Sequence, residues 1–170
     1  MSSSIDFTSG NRHASAWRGP VVVMGYADVI DVLLEQHDEI RRLCAGVERS
    51  RGAERERRFR ELEALVHLHE RGERAVVHPA ARTGTGTGDV VGTARMLAGA
   101  AIQRSLATLH DLGTRHSGFD SGFATLYRAI LEHATREELD EFPLLRLQVP
   151  VQRLHMMAGE LHDVQAMDAA

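Results

Sequence analysis

The sequence has a single cysteine, Cys44, only four prolines, no long apolar run and no excess of positive charge. Each shortage removes a class of protein. One cysteine cannot build an intrachain disulfide framework, so the core must hold the fold, and a reducing compartment fits. Four prolines leave long stretches free to be helical. The apolar stretch Val21-Val22-Val23-Met24 is far too short for a signal core or a bilayer span. Residues 1–25 are therefore expected to be a flexible polar arm, and the protein to be cytoplasmic. A net charge of −4 gives no reason to expect nucleic acid or an anionic membrane as partner. No nucleophile triad, nucleotide loop or zinc-finger cysteine pattern is present. The run Thr83-Gly84-Thr85-Gly86-Thr87-Gly88 shares only its glycine content with a phosphate loop, lacking the Lys-Ser/Thr pair, and reads as a flexible linker.

What the sequence does have is histidine, ten in 170 residues, and helical periodicity. The length suits one domain with a sizeable core. Apolar residues recur at three- and four-residue steps from Ala27 to about Arg49, with His37 on the stripe and Gly52 as terminator. A second helix is expected over 54–81, its first half carrying interspersed charges that read as a solvated face rather than a nucleic-acid patch. A third runs from an Asp89 cap to Leu112, with Met96, Leu97, Ile102, Leu106 and Leu109 as core positions. After a polar turn over 113–122, a fourth helix covers 123–146. Beyond Pro150, residues 151–166 form a short fifth helix, with Leu154, Met157, Ala158 and Leu161 inward. The expected fold is all-α: an up-and-down antiparallel four-helix bundle over 26–148, with an additional C-terminal helix and tail over 149–170.

One motif occurs twice. His69 is followed by Glu73 and Pro79, and His133 by Glu137 and Pro143, at identical spacing. A four-residue step returns to the same helix face, so each copy presents an imidazole beside a carboxylate. Burying such groups without a partner is costly. Facing helices that each supply one His and one Glu are how a bundle builds a two-metal carboxylate site.

With His37 upstream, the pattern resembles the hemerythrin family, specifically the small bacterial HHE-type domains, over roughly residues 27–147. Leu33 to Ile40 is similar to the family's first-helix motif; His69, Glu73 and Pro79 to the second; His133, Glu137, Glu138, Phe142 and Pro143 to the fourth. The resemblance implies a non-haem iron protein. Glu73 and Glu137 would bridge two irons, His37, His69 and His133 would be terminal ligands, and dioxygen, peroxide or nitric oxide would bind, be sensed or react there. Iron, manganese and zinc all suit such donors, and one iron or another divalent metal is the alternative content.

The family's third-helix histidine has no counterpart. Aligned by apolar pattern, its place falls on Gly99, with Met96 and Gln103 one turn away; His110 lies about 16 Å further along at 1.5 Å per residue. Gly99 is thus an open or substituted position, filled by water or Gln103 in a di-iron site, lost in a single-metal site, or the mark of a metal-free bundle. An open position would favour reactivity over oxygen carriage. The competing function is a regulatory or scaffold bundle with a mononuclear, sensory or decayed site, acting on a protein partner or as a homodimer. His78 reads as a helix-end residue, His67, His110, His116, His155 and His162 as surface or packing residues, His13 as part of the arm, and Cys44 as a small core residue.

Overall fold

The computed structural model describes residues 27–83 and 86–167; the expected arm over 1–25 lies outside them. The described residues are helical almost throughout: α1 (Val29–Arg49), α2 (Gly52–Gly72), a π-helical turn π1 (Glu73–Val77), α3 (His78–Arg82), α4 (Gly86–Leu112), α5 (Phe119–Arg136), a second π-helical turn π2 (Glu137–Glu141), α6 (Phe142–Gln148) and α7 (Val151–Ala166). None of these helices is long and apolar enough to cross a membrane.

Local chemistry sets the helix ends. Asp28 caps α1, its carboxylate accepting from the amides of Ile30 and Asp31 while Asp31 returns a bond to the Asp28 amide. This capping box satisfies donors that the first turn leaves unpaired. At the α1–α2 turn Gly52 has φ of +59°, the left-handed region that glycine enters without a Cβ penalty.

Two boundaries differ from the sequence reading. The fourth helix starts at Phe119 rather than 123, because Phe119 is buried, stacks on Phe123 and meets Phe59 edge-on. That aromatic burial outweighs the polar look of the preceding turn. Helix α4 takes up Gly86, Thr87 and Gly88, which the sequence had as linker. A Cβ on Gly88 would stand 2.1 Å from the Ala81 carbonyl oxygen, so the missing side chain lets α4 lie directly against α3. Leu97, expected inside, is exposed, and Met96 is only half-buried.

The apolar core comes in two parts. One gathers Ile40, Leu43, Cys44, Val47, Phe59, Leu62 and Val66 with the apolar faces of α4 and α5. The other joins Val29, Ile30 and Leu33 to Val77, Ala81, Phe142, Leu145 and the inner face of α7. Between the two lie His37, His69, Glu73, His133 and Glu137, all buried. Helix α7 reaches this middle layer. Leu161 packs so closely on Gly72 that a Cβ there would sit 2.3 Å from Leu161 Cδ1, and Gln165 exchanges hydrogen bonds with Gln36.

Candidate metal centre

The two motif copies share a backbone feature. Each π-helical turn begins at the motif glutamate, and each is closed by an i→i−5 bond, from the His78 amide to the Glu73 carbonyl and from the Phe142 amide to the Glu137 carbonyl. Widening the turn by a residue re-aims the side chains that follow, as π-bulges at functional sites do. The prolines stand just beyond, at the starts of α3 and α6, where a missing amide is tolerated.

His37, His69, Glu73 and Glu137 each offer a donor atom within 4.8 Å of the others, and all four are buried. A second group joins Glu70, Glu73 and His133 on the same criterion, and a third His78, Glu137 and Glu141. The structure therefore gathers all five residues singled out by the repeated motif and the upstream histidine. It adds three that sequence reasoning did not place there: Glu70, His78 and Glu141. Glu73 belongs to the first two groups, and Glu137 lies 3.2 Å from His37 Nε2 and 2.9 Å from His133 Nε2.

Three imidazoles are held in the same way. His37 Nδ1 is 2.8 Å from Glu138 Oε1, an oxygen also held by Arg41 Nη2 at 2.6 Å. His69 Nδ1 is 2.9 Å from Gln36 Oε1, and His78 Nδ1 is 2.9 Å from Glu141 Oε1. Each partner oxygen accepts, so Nδ1 carries a hydrogen and Nε2 is the ring nitrogen left for the interior. An acceptor at one ring nitrogen with a free lone pair at the other is the arrangement of metal-binding histidines. His37 also stacks on Phe142, which fixes its plane.

Buried polar atoms are almost always hydrogen-bonded. Here Glu73 Oε1 and Oε2, Glu137 Oε1 and Oε2, His37 Nε2, His78 Nε2 and both ring nitrogens of His133 lack such partners. Carboxylate oxygens and imidazole nitrogens converging in this way suit a cation, which would displace the protons the metal-free centre holds, and the donor set fits a divalent metal.

Charge is balanced by protons among these residues. Burial would push the His133 imidazole down, but the Glu137 and Glu70 carboxylates beside it prevail and hold its pKa at about 10. Burial, with Glu137, Glu70 and Glu141 nearby, holds the Glu73 carboxyl well above the usual carboxylate range. For Glu137 burial acts in the same direction, but His133 and His37 outweigh it and keep its pKa well below that range. Burial and the neighbouring His37 press His69 down to about 3. His133 in the folded chain retains at pH 7 a proton that the unfolded chain has largely lost, and the raised Glu73 carboxyl holds its proton more tightly than in the unfolded chain. Their folded-state protons make stability fall as pH rises, for His133 between 6.5 and about 10. Cys44, buried and pushed up to about 12 by burial and Glu48, acts in the same direction above pH 9. In the presence of a chelator, urea stability should therefore decline above pH 6.5, by up to about 1.4 kcal/mol per pH unit. Adding a divalent metal should flatten that decline, because a ligated imidazole holds no proton to lose. A flat profile with chelator would refute this charge assignment.

The remaining sequence-singled residues fall elsewhere. Gly99 is buried, but the position is not open: a Cβ there would meet Glu70 Oε2 at 1.8 Å and Glu70 Cδ at 2.7 Å. Gln103 does not point to the centre; its Nε2 donates to the Val66 carbonyl at 3.3 Å. His78, read as a helix-end residue, is buried within the site. His67, His110, His116, His155 and His162 are exposed, and His13 lies outside the described residues. Cys44 is a buried core residue.

A small cavity of about 10 Å³ lies beside the centre, lined by His37, His69, Glu70 and His133 together with Ile40, Val66, Ile102, Ile130 and Ala134. A groove of about 330 Å³ between α4 and α5 reaches His133 from outside, past Arg95, Ala98, Ala101 and Arg136.

Known proteins share this fold. The family model described as Hemerythrin HHE cation binding domain matches residues 28–145. No curated protein matches the sequence. Among solved structures, the chain resembles the crystal structure of a Hemerythrin HHE cation binding domain-containing protein from Mycobacterium kansasii. The TM-score is 0.73 at 18% identity, covering 82% of this chain and 86% of that one; at that identity the likeness speaks for the fold. With its two HxxxE copies brought together in one buried centre, and the family model spanning most of its length, this chain belongs to the hemerythrin family of HHE cation-binding domains.

Proposed function

We propose that this protein is a non-haem di-iron protein of the hemerythrin type, which binds, senses or reacts with dioxygen, peroxide or nitric oxide at a carboxylate-bridged centre. The observation that carries the reading is the sharing of Glu73 between two donor groups, with Glu137 placed between His37 and His133. Shared carboxylates between adjacent donor groups are what a bridged pair of metals needs. His37 and His69 would serve one metal and His133 the other, with Glu73 and Glu137 between them. A bound iron pair would supply the redox chemistry; the chain holds it, orients its imidazoles through Glu138 and Gln36, and excludes bulk water. The small cavity among His37, His69, Glu70 and His133 has room on the scale of one water-sized molecule, which favours a diatomic or peroxide over an organic substrate. The bundle is read as up-and-down and antiparallel. In support, the contacts Arg55–Asp120, Glu70–His133 and His78–Glu141 advance together along the second and fourth helices.

The first group of four residues could by itself hold one ion, and that observation favours a second reading, a mononuclear sensory or regulatory bundle. The test is metal content per chain on protein purified without chelators, with the near-UV and visible spectrum of the same sample. About two irons with di-iron charge-transfer absorption, perturbed by peroxide or nitric oxide, is the expected result. One ion would move the function to the mononuclear reading. None after anaerobic iron loading would remove both.

A further inference from the structure

Helix α4 contributes no ligand-type side chain where the family's third-helix histidine would stand. The volume is nevertheless filled. The three atoms nearest a Cβ built on Gly99 all belong to the Glu70 carboxyl group, Oε2 at 1.8 Å, Cδ at 2.7 Å and Oε1 at 3.1 Å. Glu70 comes from α2, one residue after His69, and is directed not at α1, as His69 is, but at α4 and α5. It is buried, and its Oε1 stands 3.1 Å from His133 Nε2.

We infer that Glu70 is a metal ligand, supplied from the second helix in place of the third-helix histidine, and that Gly99 is the space that lets it reach. The inference rests on the metal-centre reading above and goes beyond it by naming the donor that completes the second position. That position would consist of His133 and Glu70, with Glu73 and Glu137 shared. Two features carry the assignment. Glu70, Glu73 and His133 offer atoms within 4.8 Å of one another, and both ring nitrogens of His133 and both Glu73 oxygens lack hydrogen-bond partners. A carboxylate buried at such a place, with an imidazole aimed at it and backbone space cleared for it, is a donor awaiting a cation rather than a solvated charge.

The resulting centre is lopsided. The His37–His69 side holds two imidazoles, while the His133–Glu70 side holds one imidazole and a carboxylate of its own. Carboxylates favour harder ions than imidazoles do. The second position is therefore the one that retains a ferric or manganese ion and loses a softer one first.

The experiment compares metal equivalents retained after anaerobic loading and desalting, by elemental analysis, in the wild-type chain, Glu70→Gln, Gly99→Ala and the double variant Glu70→Ala/Gly99→His. Helical content and melting with chelator are recorded for each, so that a folding defect is recognised separately. With the wild-type chain loaded, Glu70→Gln should lose about one equivalent. Gly99→Ala should lose the same equivalent although alanine favours helix over glycine, because its Cβ displaces the Glu70 carboxylate. The double variant, which returns an imidazole to the third helix, should regain it. Glu70→Gln and Gly99→Ala retaining the wild-type equivalents would overturn the assignment while leaving the metal centre intact. A wild-type chain that takes up no metal would instead overturn the functional reading and this inference with it.

Discussion

Alanine in place of Glu137 should weaken metal binding by more than about 100-fold, beyond the roughly 10- to 100-fold that loss of an outer-shell partner typically costs. Glu137 is fully buried, with one oxygen 2.9 Å from His133 Nε2 and the other 3.2 Å from His37 Nε2. These imidazoles would serve different metals in the proposed two-metal centre, so a single truncation would remove a donor from both positions. It also removes the strongest of the interactions that keep His133 protonated. With chelator present, the variant should lose about 3–5 kcal/mol, the usual cost of taking one partner from a buried charged pair. Glu137→Gln keeps the shape and should lose metal with a smaller loss of stability. Competition titration against a chromophoric chelator reads the first effect and urea unfolding the second. An affinity within tenfold of wild type for Glu137→Ala would refute the bridging position.

The second large effect lies one turn further along. His78 and Glu141 are both buried and paired, with Nδ1 2.9 Å from Oε1 and 3.1 Å from Oε2. Replacing His78 with leucine leaves the Glu141 carboxylate inside the bundle without this donor. The expected cost is about 3–5 kcal/mol with chelator present, the range for breaking a buried pair. Replacing both residues with leucine should recover most of that loss, since an apolar pair of similar volume avoids the unpaired charge. Chemical denaturation of the two singles and the double closes the cycle. A His78→Leu cost below about 1 kcal/mol would show that the pair contributes little.

The reason His78 escaped the sequence reading is geometric. His78 was read as a helix-end residue because it directly precedes Pro79, and at 3.6 residues per turn a residue five beyond Glu73 points about 140° away from it. The π-helical turn cancels that offset, and nothing in the local composition announces it except the proline that follows. Glu70 escaped for a related reason. It neighbours His69 rather than repeating at its period, so it sits on a different face of α2 and looks like one more charge in Glu70-Arg71-Gly72-Glu73-Arg74. The available signal was the glycine opposite: a buried Gly99 where a ligand was expected asks which side chain fills the space. By contrast His37, His69, Glu73, His133 and Glu137 were legible because each follows ordinary α periodicity up to the start of the widened turn. The helices themselves were legible from apolar spacing. Their ends were not where aromatic burial, as at Phe119, or glycine contact, as at Gly88, decided the boundary.

The two-part core has a consequence for how the molecule holds together. Apolar packing lies on either side of the buried His–Glu layer, and α1 runs through all three, so the layer is one of the joins between the two parts of the core. An ion bound there would tie the two parts together, and chelation should then broaden or split the melting transition, which calorimetry with and without chelator would read. The state of such a centre would then be read in the rigidity of the bundle, with no moving domain required.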